Sequence, residues 1–182
     1  MDFYSFGSLP NLITFGRLIL VPVIISLITA QRWKEACIAF IVAGISDGLD
    51  GWIAKTFNWR TELGAYLDPI ADKALLVSIF VTLAIVGAIP ATIAIIVVAR
   101  DVMIVGAFLI ARILDKPLKV RPLWISKLNT LAQILFAALV LSVEAFGVSK
   151  GAWFDASLYI VAALALASLG AYFNRWIRHM SA

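Results

Sequence analysis

The chain holds one cysteine, one histidine and few charged residues, and each scarcity removes a class of function. Cys37 stands alone inside an apolar run, so no internal disulfide can form and no redox pair exists. His179 stands alone beside Arg178 near the C-terminus, which excludes a site built on several histidines and leaves this residue reading as a surface side chain. Charged residues are 14% of the 182 positions against 63% hydrophobic ones, and the mean hydropathy of +0.99 lies far beyond that of soluble domains. Repeats and low-complexity stretches are missing, and the only long polar segment, Leu114 to Lys127, is a basic loop broken by Pro117 and Pro122. Neither a basic region nor a small-residue cleavage site precedes the first apolar run, so that run is expected to be retained.

What is present is a series of apolar runs at membrane length. They fall at roughly 12–30, 36–54, 63–89, 91–113, 128–146 and 153–173. The expectation is an all-α polytopic integral membrane protein with six transmembrane helices, preceded by a short interfacial segment over residues 1–10. One domain, residues 1–182, accounts for the whole chain. Trp33, Trp52, Trp124, Trp153 and Trp176 fall near the predicted helix ends, as an aromatic belt requires. In a soluble protein the net charge of +4 would hint at nucleic acid; here the basic residues lie between spans, and orientation explains them without such a partner. Lys55, Arg60, Arg112, Lys116, Lys119, Arg121, Lys127, Arg175 and Arg178 share one side, whereas only Arg32, Lys34 and Lys150 take the other. The first side is therefore expected to be cytoplasmic.

Against this apolar background the stretch from Asp47 to Asp72 is anomalous, because it sets Asp47, Asp50, Asp68 and Asp72 within or beside two spans. A charge at the centre of a membrane helix costs about 2.5–3.5 kcal/mol on insertion scales, so such acids need compensation. In helices, Asp47 and Asp50 lie one turn apart at i and i+3, and Asp68 and Asp72 at i and i+4; each pair then shares a face. The short link from Thr56 to Glu62 is expected to make the two helices antiparallel neighbours whose acids converge. An all-oxygen cluster suits hard divalent ions, Mg²⁺ or Mn²⁺, and four carboxylates balance two of them. Two such ions are a standard device for displacement at phosphorus. Gly48, Gly51, Ala54 and Gly64 remove bulk beside the acids, and Lys55 adds a cation that a phosphate could meet. A solvated cytoplasmic link would need none of these small residues. An ion or metal transporter is the rival class, but acids grouped near one membrane face describe a ligand site better than a through-path.

Written as a pattern, this stretch reads DxxDGxxAKx8GxxxDxxxD, which resembles the signature of the CDP-alcohol phosphotransferase family of membrane enzymes. Pro10, Asn11, Thr14 and Arg17 resemble the LPNxxTxxR opening of the same family. One departure is Lys55, where the family usually has Arg, so that a two-pronged phosphate contact becomes a point charge. The resemblance implies a phosphatidyltransferase of phospholipid synthesis. In its chemistry an alcohol attacks the β-phosphorus of a CDP-alcohol such as CDP-diacylglycerol, and CMP leaves. It further implies Asp72 as the catalytic base, Asp47, Asp50 and Asp68 as metal ligands with Asp72 sharing a metal, and Gly51, Ala54, Lys55 and Gly64 lining the CDP-lipid site. A homodimer in a bacterial inner membrane, with the site facing the cytoplasm, completes that expectation.

The acceptor is read from other residues. RDVM, Arg100 to Met103, and SKLNT, Ser126 to Thr130, resemble the CMP-forming cardiolipin synthases, whose acceptor is phosphatidylglycerol. Phosphatidylglycerophosphate synthases, which use glycerol 3-phosphate, tend to show a second lysine where this chain has Asn129. Charge agrees, because a phosphodiester carries −1 and a phosphomonoester about −1.5 to −2. Arg100, Arg121 and Lys127 are the acceptor-binding candidates, although Arg100 and Asp101 could instead satisfy neighbours across the helices.

Overall fold

The computed structural model describes residues 8–56, 62–113 and 124–180. They form six α-helices: α1 Ser8–Thr29, α2 Trp33–Thr56, α3 Glu62–Ile85, α4 Ala91–Ile113, α5 Trp124–Phe146 and α6 Ala152–Met180. No strand occurs among the described residues. Residues 1–7 of the expected interfacial segment lie outside that set, while Ser8 to Pro10 already belong to α1, which tolerates Pro10 in its first turn.

Three helix ends share one chemistry. At the end of α3, Gly87 takes a φ of 77°, its N–H reaches Ala84 O at 3.1 Å, and Ala88 N–H reaches Leu83 O at 2.8 Å. This is a Schellman closure, with a glycine in the left-handed position. Gly147 ends α5 likewise at a φ of 64°, with Val148 N–H on Val143 O at 3.0 Å. At the end of α1 the same turn is made by Gln31, a non-glycine at a φ of 55°. The next helix starts at once, and Glu35 in its first turn pairs with Arg32 at 2.9 Å. Backbone hydrogen bonding first, then Arg32, holds the Glu35 carboxyl below the usual carboxylate range. The span expected to reach Ile89 therefore stops as a helix at Ile85, because Gly87 turns the chain. The fifth begins at Trp124 rather than Leu128, and the sixth continues to Met180.

The packing is two rings of four helices that share an edge. In one, α1 touches α2 and α3, and α5 closes the ring by touching α2 and α3; in the other, α3–α4–α6–α5 run round. Helices α3 and α5 form the common edge. The core fills both rings with Ile24, Ile28, Phe40, Ile79, Phe80, Leu83, Val97, Phe136, Val140 and Leu141 among others. On α2 the buried positions Ala36, Cys37, Phe40 and Ala43 form one helical stripe, and Cys37 Sγ meets Ser142 Oγ of α5 at 3.6 Å. That stripe turns α2 toward α5. Among the described residues α2 packs on α1 and α5; the facing ends of α2 and α3, where the two helices were expected to be neighbours, carry side chains outside the described set.

Outside the rings the surface is apolar as well. Ile19, Ile38, Val81, Ile95, Leu135 and Ile160, one from each helix in order, are exposed. A water-facing bundle would carry charges there; a lipid-facing one needs none. Two helical stretches, Trp124–Phe146 and Ala152–Asn174, are by themselves long and apolar enough to cross a membrane among the described residues. At one end of the bundle Lys150 ties loop to turn: its Nζ donates to Ala88 O at 2.9 Å, pairs with Glu144 at 2.6 Å and sits 5.0 Å from the centre of the Phe154 ring.

Candidate active site

Helix α2 is unbroken through Asp47, Gly48, Asp50, Gly51, Ala54 and Lys55, and α3 through Gly64, Asp68 and Asp72. Helical backbone at both places keeps the i, i+3 and i, i+4 relations that put each acid pair on one face. The side chains of these residues lie outside the described set, as does all of Arg121. Among the described residues no group of three or more His, Cys, Asp or Glu could hold a metal. The four aspartates of these helices would offer a metal oxygen donors only, a set that fits a hard divalent ion and not a soft one.

Lys73, the residue after Asp72, leads into a buried polar cluster. Lys73 Nζ lies 3.7 Å from Asp101 Oδ1. Asp101 also accepts from Arg100 Nη1. Arg100, only 3% exposed, donates through Nε and Nη2 to Ser168 Oγ at 3.2 and 2.8 Å, and through Nη2 to Ser126 Oγ at 2.6 Å. Four helices, α3, α4, α5 and α6, are joined by these bonds. The guanidinium can do this because its planar fork presents five donors in fixed directions. Burying such charges is costly unless they are paired and hydrogen-bonded, and both conditions are met here.

The cluster changes the reading of Arg100. Its donors already meet Asp101, Ser126 and Ser168, so it fastens α4 to α5 and α6, while Asp101 carries the link to α3 through Lys73. Lys127, by contrast, is exposed, with its Nζ 5.3 Å from the centre of the Trp124 ring. It lines a shallow groove of about 390 Å³ with Ser126, Thr130, Leu131 and Ile134. The groove thus has a cationic end and an apolar end, and Ser126 connects it to the Arg100 cluster.

Sequence reasoning singled out Arg100 and Lys127 but not Lys73, Ser126, Ser168 or Gln133 as parts of one place. Lys73 carried a usable signal, since it is the one lysine between Asp72 and the long apolar run of α3. Ser168 carried none, because a serine among alanines and leucines in a membrane helix can be satisfied by its own backbone. Asn129 and Gln133 are fully enclosed in α5, at 0% and 1% exposure, and are polar residues in a stretch that otherwise packs the core.

A family model described as CDP-alcohol phosphatidyltransferase matches residues 7–173. The chain is 30% identical to the cardiolipin synthase (CMP-forming) of Homo sapiens, a match that covers 92% of this chain and 61% of that protein. It is 33% identical to a cardiolipin synthase (CMP-forming)/mitochondrial hydrolase fusion protein of Schizosaccharomyces pombe, over 91% of this chain and 30% of that one. The CDP-diacylglycerol–glycerol-3-phosphate 3-phosphatidyltransferase of Bacillus subtilis is 27% identical, over 92% of this chain and 94% of its own length. The chain thus spans less than two thirds of the human and yeast relatives and nearly all of the bacterial one.

Proposed function

The chain belongs to the CDP-alcohol phosphatidyltransferase family, and from that premise we propose that it transfers a phosphatidyl group from CDP-diacylglycerol to an alcohol, releasing CMP. Phosphatidylglycerol is the proposed acceptor, which makes the product cardiolipin. Support comes from the named relatives and from the cations of α3, α4 and α5: Lys73 and Arg100 both face Asp101, and Lys127 is the cation on the groove without a carboxylate partner among the described residues. Lys127, the single cation lining the groove, matches a singly charged diester more closely than a phosphomonoester of about −1.5 to −2. This charge balance is the observation that carries the choice of acceptor. A second reading, glycerol 3-phosphate as acceptor, is favoured by the match along nearly the whole Bacillus subtilis transferase.

In this reading Asp47, Asp50 and Asp68 hold Mg²⁺ or Mn²⁺, two ions for four carboxylates, with Asp72 shared between metal and proton chemistry. When bound, the metal neutralises charge on the diphosphate. Lys55 adds a point charge to the same phosphates, and Gly51, Ala54 and Gly64 leave room for the cytidine diphosphate against the helices. Asp72 accepts the proton of the acceptor hydroxyl as its oxygen bonds to the β-phosphorus and the bond to CMP breaks. Lys73, held on Asp101, fixes the next turn of α3 relative to α4. Arg100, Arg121 and Lys127 serve the acceptor phosphate, Arg100 from a place held by its bond to Ser126.

The same proposal places six spans in a bacterial inner membrane as one domain over residues 1–182, with the aspartates facing the cytoplasm and two chains associating. The excess of basic residues on that side supports the orientation. The test is CMP release by protein purified in detergent, given CDP-diacylglycerol and Mg²⁺ or Mn²⁺, with phosphatidylglycerol or glycerol 3-phosphate. Release with phosphatidylglycerol alone is expected. Release with glycerol 3-phosphate alone would select the second reading.

A further inference from the structure

Asn129 and Gln133 are one turn apart on α5 and completely buried, yet Asn129 Nδ2 and Oδ1 and Gln133 Nε2 have no hydrogen-bond partner among the described residues. Each unmade bond on a buried polar group costs about 1–3 kcal/mol, so a bundle core does not keep two carboxamides in this state without a reason. Their place narrows the reason. Ser126, Asn129 and Gln133 follow at i, i+3 and i+7 on the inward side of α5, a polar stripe about 10 Å long by helical rise. It begins at the Arg100 cluster through the Ser126 hydroxyl and stops against the apolar core at Phe136, Ala137 and Val140. Ser126 also belongs to the groove that carries Lys127.

The stripe is closed in this structure, and Ser126, which also lines the groove, marks the end at which a group would reach it. The unmade valences are two amide donors and one amide acceptor, with no net charge. A phosphate would call for cations, and a carboxylate would leave Asn129 Oδ1 facing a like acceptor. A hydroxyl both donates and accepts, so one hydroxyl between two carboxamides one helical turn apart can engage both. We propose that Asn129 and Gln133 form an uncharged seat for the non-reacting hydroxyl of the acceptor's glycerol headgroup, which leaves the other hydroxyl free for Asp72. The seat rests on the acceptor reading given above and adds to it the residues that recognise the glycerol rather than the phosphate. It makes Asn129 and Gln133 specificity-determining residues, since a headgroup without hydroxyls leaves their amides unmade.

The test uses the full chain in detergent and two soluble short-chain lipids, dihexanoyl phosphatidylglycerol and dihexanoyl phosphatidylpropanol, both singly charged diesters that differ only in the headgroup hydroxyls. Binding is read by titration without CDP-lipid, alongside unliganded thermal unfolding. Wild type is expected to prefer phosphatidylglycerol, and Asn129→Leu or Gln133→Met to lose about tenfold in that preference, the equivalent of one or two neutral hydrogen bonds. The unliganded unfolding temperature should hold or rise, because near-isosteric apolar side chains remove the unmade groups. Should Asn129→Leu not fold, Gln133→Met and the smaller Asn129→Ala give the same ratio. No preference in wild type, or wild-type preference in the variants, overturns the seat; so does a loss of stability with preference intact, which would assign the amides to internal packing. CMP release is scored separately, so failure of the transfer reaction and failure of the seat are distinct results.

Discussion

Arg100 bonds to its neighbour Asp101 on α4 and to one serine on each of α5 and α6, so its removal acts on stability before it acts on any substrate. Arg100→Met leaves Asp101 buried with Lys73 as its remaining cation, and deleting one partner of a buried ion pair costs about 3–5 kcal/mol. Unfolding in detergent should show that loss, and Asp101→Asn, which strands Arg100 instead, should show a comparable one. Arg100→Lys is expected to recover only part of it, since an ammonium cannot reach Asp101, Ser126 and Ser168 together. Unchanged stability in Arg100→Met would return the residue to the acceptor site. At this scale the sequence was legible where charge is out of place: adjacent Arg100 and Asp101 in an apolar run demanded partners. Which partners was not legible, because Ser126 and Ser168 come from helices whose rotation depends on packing throughout the bundle.

Helix ends are where local chemistry decides, and α1, α3 and α5 close with the same left-handed residue. Gly87 and Gly147 have open space where a Cβ would stand, so the penalty of a side chain there is conformational alone. Gly147→Ala should cost about 1 kcal/mol or somewhat more. Gln31 already bears that strain at a φ of 55°. Gln31→Gly is therefore expected to stabilise the fold by about 0.5–1 kcal/mol, a rise of about 1–4 °C in unfolding temperature for a chain of this size. A fall would mean that the Gln31 side chain does more than fill the turn. The helices themselves followed from apolar length, and the start of α4 at Ala91 after Pro90 agrees with the expected span. Boundaries drawn from hydropathy erred where helix and apolar run differ. Trp124 to Lys127 are helical although polar or interfacial, and Ala88 and Ile89 are apolar and buried although past the end of α3.

For the whole molecule, the two-ring arrangement sets which helices share a site. The acid-bearing α2 and α3 are related through α1 and α5 among the described residues, while the Arg100 cluster fastens α3 to α4, α5 and α6. The all-helical architecture and apolar exterior were legible, since a composition of 63% hydrophobic residues leaves no other surface. The aspartate motif was legible as well, and it led to the family that the comparison with residues 7–173 shows. Its catalytic use is the central claim, and it is tested most directly by CMP release from CDP-diacylglycerol in wild type, Asp68→Asn and Asp72→Asn, with and without a chelator, each with metal binding measured in parallel. The account predicts metal-dependent CMP release by wild type, loss of release with some metal binding kept in Asp72→Asn, and loss of both in Asp68→Asn; wild-type turnover by Asp72→Asn, or turnover undiminished by chelation, would contradict it.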